Sequence, residues 1–352
     1  MRWAKVVDKK INKMSPVFIV AEISGNHGQD FNRAVSLIKK AKECGVDAVK
    51  FQTYTPDTIT LDSANKYFKV RHPKWGGQTL YQLYKKSYTP WSWFKKLKKT
   101  ADELGLVFFS TAFDKTAVDF LEELNVPFHK VASFELVDLP LIEYMANTGK
   151  PIMMSTGMAT LSEIKEAVYI AKRSGVKKVY LLKCVSGYPA DPQEMNLHTI
   201  PHMRKLFKCP VGLSDHTLVT GVSVAAVALG ANIIEKHFTL SRKIGTPDSF
   251  FSIEPAELKD MVKNIRTVEK AIGGVHYGPA GEELENKNFR RSLFAVENIS
   301  KGEIFTDKNI RSIRPSYGIK PKYLKSILGK KAKKDLKMGT PLKLSLVNQA
   351  GK

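Results

Sequence analysis

The sequence predicts a TIM-type (β/α)8 barrel followed by a small β-rich domain. Three observations carry that prediction. Eight short apolar runs alternate with amphipathic helical stretches over about 270 residues. Most of the runs begin apolar and end polar. After residue 285 the alternation stops, and short runs broken by Gly and Pro replace it.

The first run, VFIVAEI (17–23), ends on Glu22, and the helical stretch NRAVSLIKKAKECG after it closes on a Gly, as a helix C-cap does. The second, AVKFQTY (48–54), carries Lys50 and Gln52 on alternate positions. The segment 55–88 is too long for a simple strand-to-helix connection. Its WGG and several tyrosines mark it as a long loop over the barrel mouth, and the aromatics argue against disorder. LVFFSTA (106–112) ends on Ser110 and Thr111, FHKVAS (128–133) holds Lys130 and Ser133, and PIMMSTG (151–157) holds Ser155. The helical stretch LSEIKEAVYIAKRSG comes next, again closing on Gly. KVYLLKCVS (178–186) ends on Ser186, PVGLSDH (210–216) holds Ser214 and His216, and NIIEKHFT (232–239) holds Glu235, Lys236 and His237. The last helix, EPAELKDMVKNIRTVEKAIGG, has Pro255 near its start. A doubly wound open sheet is the competing arrangement, but no GxGxxG follows the first strand. These boundaries divide the chain into a barrel over 1–285 and a tail domain over 286–352, the latter too small to be strongly stable alone.

The chain carries a net charge of +22. Residues 286–352 hold 17 Lys and Arg against 4 Asp and Glu, a net of +13, so most of the excess lies in the tail domain. Nucleic acid and an anionic small substrate are both partners such a charge would suit. No zinc finger, RRM signature or basic heptad helix is present, so nucleic acid is not expected, and a solvated lysine-rich surface remains the simpler account. No apolar run approaches the ~20 residues of a membrane span, and VFIVA is short for a signal peptide. Cys44, Cys184 and Cys209 are few, odd in number and far apart, which points to reduced thiols in a cytoplasmic protein.

In a parallel barrel all C-terminal strand ends emerge on one face, and that face carries the active site. The polar strand ends therefore line one mouth. Two imidazoles from neighbouring strands, His216 and His237, form a candidate divalent metal pair, with Glu22 and Glu235 at the same mouth. A strand-end His can also be simply hydrogen-bonded. Lys50 and Lys130 lie in enclosed strands, which is not where mere surface charge is found. With Ser133, Ser155, Ser186 and Ser214 they can cradle phosphate and carboxylate oxygens, although any one serine can instead cap a helix. STGM (155–158) adds a Gly where backbone N–H groups can approach an anion. No Ser-His-Asp order or nucleophile elbow is present.

The stretches AEISGNH, AVKFQTY, FFSTAFD, KVASFE, GKPIMMSTGMA, LLKCVSGYP, GLSDHT and ALGANIIEKHFTL resemble, in order and in register, the sialic acid synthase family. RSLFAVENISKGEIFTDKNIRSIRP resembles the antifreeze-like (SAF) domain that follows the barrel in that family. Within the family, FQTYTPDTITLD, LYQLYKKSYTPW, AVDFLEEL and KVASFELVDLPLI are similar to its pseudaminic acid branch, with the legionaminic and N-acetylneuraminic acid branches as alternatives. Ser186 stands where sialic-type sequences carry Asn, and the pseudaminic type also carries Ser there.

The resemblance implies a transferase that condenses phosphoenolpyruvate with an open-chain amino sugar and releases phosphate, assisted by Mn2+ or Mg2+. It implies that His216 and His237 hold the metal and that Glu22 activates water. It assigns Lys50, Gln52, Thr111, Lys130, Ser133, Ser155, Ser186 and Ser214 to phosphoenolpyruvate and its surroundings, and Glu135, Tyr188 and Asp248 to the sugar. Arg314 would reach the sugar's N-acetyl group from the other subunit of a domain-swapped homodimer. Two readings from other classes remain at this point. One is an aldol-type or sugar-isomerising barrel enzyme. The other is a non-catalytic carbohydrate binder that keeps the barrel, which loss of Glu22 or either His would have favoured.

Overall fold

A computed structural model describes residue 11 and residues 15–348; the lysine-bearing start of the chain lies outside them. The chain separates into two compact units, Met1–Gly273 and Gly274–Lys352, each described here by itself.

The first unit is a closed barrel of eight parallel strands in sequence order, as the alternation of runs predicts. They are β1 (Phe18–Glu22), β2 (Ala48–Thr53), β3 (Val107–Ala112), β4 (His129–Val131), β5 (Ile152–Ser155), β6 (Val179–Cys184), β7 (Val211–Asp215) and β8 (Ile233–His237). β1 closes the ring by pairing with β8, Glu22 standing opposite His237 and opposite Lys50 of β2. The outer helices are α1 (Phe31–Glu43), α2 (Leu80–Ser87), α3 (Phe94–Glu103), α4 (Lys115–Glu123), α5 (Leu139–Ala146), α6 (Leu161–Arg173), α7 (Thr199–Phe207), α8 (Gly221–Ala228) and α9 (Pro255–Ile272). Their starts are written locally. Asp30 accepts from the Arg33 amide at the head of α1, Asp114 caps α4, and Thr160 with Glu163 forms a capping box on α6.

Two apolar layers follow from the period-2 alternation of strand side chains. The outward residues Ile19, Ala21, Val49, Phe51 and Ile234 pack against the helices in one large core. The inward residues Phe18, Val20, Ala48, Val107, Phe109, Phe128, Met153 and Ile233 fill the N-terminal half of the barrel. With apolar side chains occupying that half, the polar inward residues are left at the C-terminal end.

The excursion 55–88 is more ordered than a plain loop. It holds a helical turn, Pro56–Ile59, and α2, both opened by Thr capping boxes. The second unit pairs β9 (Ser292–Ala295) antiparallel with β10 (Ile310–Ile313). Isolated bridges such as Ile299 to Leu336 and Ile304 to Lys331 extend it. Its small core contains Leu293, Phe305, Ile310, Ile327, Leu342 and Val347. Among the described residues no helix is long and apolar enough to cross a membrane, and all three cysteines are free thiols.

Candidate active site

The C-terminal strand ends converge on a cavity of about 50 Å³ lined by Glu22, Lys50, Gln52, Thr111, Lys130, Ser133, Ser155, Tyr188, Ser214, His216 and His237, together with Cys184, Glu235 and Phe134. Of the sequence-predicted site residues, only Ser186, Glu135, Asp248 and Arg314 are not among its walls. Ser186 is close by, since a Cβ placed on Gly157 would meet its Oγ at 2.2 Å. A larger cavity, about 820 Å³, lies at the N-terminal ends of β6 and β7 between α6 and α7. Surface cations such as Lys172, Lys205 and Lys208 line it, and it holds none of the predicted residues, so the chemistry belongs to the smaller one.

Strand parity decides who enters. On β8, Glu235 and His237 face the cavity, whereas Lys236 between them points outward to the helix layer. Its Nζ donates to Asp215 Oδ2 at 2.8 Å and to the Thr217 and Val219 carbonyls. Lys236 is therefore a structural cation behind the barrel wall, which corrects the expectation that it lines the mouth. Ser110 turns outward likewise and shares a hydrogen bond with Thr53.

The floor of the site is a cluster of buried charges. Lys50 Nζ lies 2.8 Å from Glu235 Oε1 and 3.5 Å from Glu22 Oε2, with all three side chains 5% exposed or less. Glu235 also accepts from Ser214 Oγ at 3.0 Å. Burial disfavours the Glu235 carboxylate, but Lys50 and Lys130 outweigh it and hold its pKa at about 2. Glu22 is in the reverse position. Burial, aided by Glu235, overcomes the more distant Lys50 and raises it to about 8, while Gln52 donates to its Oε1 at 3.0 Å. One carboxyl is thus a fixed anion and the other can hold or release a proton near neutrality.

Lys130 stands apart from the carboxylates. Its Nζ donates to Ser155 Oγ at 2.7 Å and to the Val131 carbonyl at 2.9 Å, and burial lowers its pKa to about 8. Ser133 Oγ accepts from the Gly157 amide at 3.0 Å. The absence of a Cβ at Gly157 is what admits Ser133 and Ser186 to one point, because a Cβ would sit 2.7 Å from Ser133 Oγ. Ser186 Oγ is buried with no hydrogen-bond partner. A buried orphan hydroxyl beside two serines and a lysine is a cradle built for an oxyanion.

The imidazoles stand at the C-terminal ends of β7 and β8, ring centroids 5.2 Å apart. His216 Nδ1 lies 2.8 Å from the Val185 carbonyl, so that nitrogen carries a proton, and Cys184 together with this carbonyl raises the His216 pKa against the effect of burial. Burial lowers the His237 pKa well below the usual value, so this ring is neutral, and its Nδ1 is buried without a partner. Two imidazoles side by side, one of them with a buried unpartnered nitrogen, are ligands that suit a divalent cation. Among the described residues no group of three or more His, Cys, Asp and Glu side chains gathers as a metal cage.

Beyond the cavity walls, Asp248 accepts from Ser24 Oγ and from the Gly25 amide at 3.0 Å. The GTPD turn therefore presents its carboxylate to the segment after β1. Tyr188 stacks 4.5 Å from His216. Glu135 is half-buried, its pKa raised by burial to about 7, and its Oε2 has no partner. Arg314 is exposed and follows β10 in the second unit.

Sequence reasoning passed over two residues. Cys184, whose Sγ lies 3.8 Å from His216 Nδ1, stands on the inward parity of β6, two positions before Ser186, and that alternation was its only signal. Trp75 packs on Tyr188 from the 55–88 excursion, and a lone Trp in such a stretch announces nothing.

Residues 290–348 match the SAF domain. Over 330 residues the chain is 43% identical to the pseudaminic acid synthase of Helicobacter pylori, covering 94% of this chain and 97% of that protein. It is 38% identical to the N,N'-diacetyllegionaminic acid synthase of Campylobacter jejuni subsp. jejuni, covering 92% and 98%. The crystal structure of the N-acetylneuraminic acid (sialic acid) synthetase of Leptospira borgpetersenii in complex with citrate superposes with a TM-score of 0.69 at 33% identity, over 77% of this chain and 90% of that one. These likenesses bear out the resemblance carried by the eight motifs, and with residues 37–277 matching its model, the chain belongs to the NeuB family.

Proposed function

We propose that this chain catalyses the condensation of phosphoenolpyruvate with 2,4-diacetamido-2,4,6-trideoxy-altrose, giving pseudaminic acid and phosphate. The observation that carries the reading is the placing, around one cavity, of an oxyanion cradle, a proton-holding carboxyl and two imidazoles. The likeness to the pseudaminic acid synthase of Helicobacter pylori supports this branch over the legionaminic one.

Lys130, Ser133, Ser155, Ser186 and the Gly157 amide hold the phosphate of phosphoenolpyruvate, and Lys50, Gln52, Thr111 and Ser214 bind around its carboxylate end. His216 and His237 would hold Mn2+ or Mg2+, which when bound supplies Lewis-acid polarisation of the sugar's aldehyde. The phosphoenolpyruvate methylene carbon forms a bond to the aldehyde carbon, leaving a cation at C2. The aldehyde oxygen, left as an alkoxide by the new C–C bond, is protonated to a hydroxyl, and Glu22, in its ionised form, orients the water that adds at C2 and takes its proton. The tetrahedral product then loses phosphate by C–O cleavage. Glu135, Tyr188 and Asp248 face the sugar. Arg314 reaches the N-acetyl group from the partner subunit of a swapped homodimer, where its fork of donors suits a carbonyl. Three free thiols and an intracellular co-substrate support a cytoplasmic location.

The test is phosphate release by purified protein with phosphoenolpyruvate and each of three sugars: the trideoxy-altrose, its legionaminic counterpart and N-acetylmannosamine. Turnover with the first well above the others, abolished by chelation and restored by Mn2+, is expected. Preference for another sugar reassigns the branch. Full activity in excess chelator removes the metal, and no turnover with any sugar overturns the reading.

A further inference from the structure

An unbroken run of aromatic rings leads from the imidazoles out to the 55–88 excursion. Phe251 lies 4.8 Å from His237 and 5.0 Å from Tyr188, which itself lies 4.5 Å from His216. Trp75 continues the run, 5.7 Å from Tyr188 and 6.0 Å from Phe251, with Phe250 at 5.6 Å. His72 backs the indole at 4.5 Å.

The excursion aims this ring. The indole Nε1–H donates to the Pro247 carbonyl at 2.7 Å, immediately before Asp248. Gly76, next in sequence, closes a tight turn onto the His72 carbonyl, with its amide 2.7 Å away and no room there for a Cβ. Trp75 belongs to neither apolar core of the barrel and is only half-buried, so part of its ring stays open beside Tyr188, a wall of the cavity. Its one donor is spent on Pro247, which leaves the ring nothing but apolar surface to offer a ligand.

We infer that Trp75 and Tyr188, backed by the buried Phe251, form the apolar wall that receives the methyl end of the amino sugar, and that Trp75 determines specificity for a deoxygenated terminal carbon. The inference rests on the function proposed above. A sugar whose aldehyde sits at the imidazoles extends its far carbons along the ring run. A methyl group gains by leaving water against these rings. A hydroxylated carbon there loses hydrogen bonds to water and finds no replacement.

The test compares wild type, Trp75→Ala and Trp75→Phe in steady-state kinetics with the trideoxy-altrose and with N-acetylmannosamine, at saturating phosphoenolpyruvate and Mn2+. Trp75→Ala should raise KM for the trideoxy sugar at least ~10-fold and shrink the preference over N-acetylmannosamine by a similar factor, the scale of one hydrophobic contact. KM for phosphoenolpyruvate should stay put. Trp75→Phe, which keeps a ring but loses the bond to Pro247, should retain most of the preference. An unchanged preference in Trp75→Ala, a parallel rise in the phosphoenolpyruvate KM, or a Phe variant as impaired as Ala overturns the wall while leaving the function standing. Wild type that turns over neither sugar overturns the function and the wall together.

Discussion

Lys50 should be costly to neutralise, and the reason is electrostatic. In Lys50→Met the side-chain volume is nearly kept, but Glu235 loses a cation 2.8 Å from its Oε1 at a site less than 5% exposed. At an effective dielectric of ~20 a contact of that length is worth roughly 6 kcal/mol of attraction. Much of it is offset by the desolvation of both ions, and breaking such a pair from one side costs about 3–5 kcal/mol. Lys50→Met/Glu235→Gln leaves no orphaned anion and should recover most of the loss, yet stay inactive because the anion cradle has lost a lysine. Unfolding by guanidinium followed by tryptophan fluorescence is the assay, since Trp75, Trp91 and Trp93 lie in the first unit and no tryptophan occurs after residue 93. The sign with pH adds a second check. Glu235 is depressed to about 2, so its stabilisation is present above its ordinary pKa of 4.5 and is lost as pH falls toward 2. That acid limb should disappear in Lys50→Met. A single variant within ~1 kcal/mol of wild type, or a double variant no more stable than the single, would refute the reasoning.

Glu22→Gln should fold normally and lose about 10²–10⁴-fold in kcat, the worth of a positioned proton acceptor. Because burial raises Glu22 to about 8, the metal-free wild type should lose stability as pH rises from 4.5 through 8, and the Gln variant should not; matching pH slopes would remove this assignment. Gly157→Ala would push a Cβ into Ser133 and Ser186 and should raise the phosphoenolpyruvate KM far more than the sugar KM, which initial-rate kinetics in both substrates would read. Arg314→Ala should weaken sugar use selectively. Mixing it with Glu22→Gln should restore some turnover after subunit exchange, whereas exchange without recovery would show that each subunit completes its own site.

The alternation of apolar runs with amphipathic helices was enough to give the barrel, because period 2 and period 3.6 are local properties that each strand and helix writes into its own residues. The polar strand ends were equally legible, since a parallel barrel sends every C-terminal end to one face. The sequence alone therefore named Glu22, Lys50, Lys130, His216 and His237 as a group. It could not say which of Glu235, Lys236 and His237 enters the cavity. That depends on parity relative to the closed sheet, and the register of β8 with β1 turns Lys236 outward onto Asp215. Nor could it assign the two carboxyls opposite charge states, which follow from Lys50 lying 2.8 Å from one and 3.5 Å from the other. Trp75 was invisible for a related reason. Its partners Tyr188, Pro247 and Phe251 lie more than a hundred residues away, and only the closure of the ring brings the excursion after β2 over the loops that follow β6 and β8.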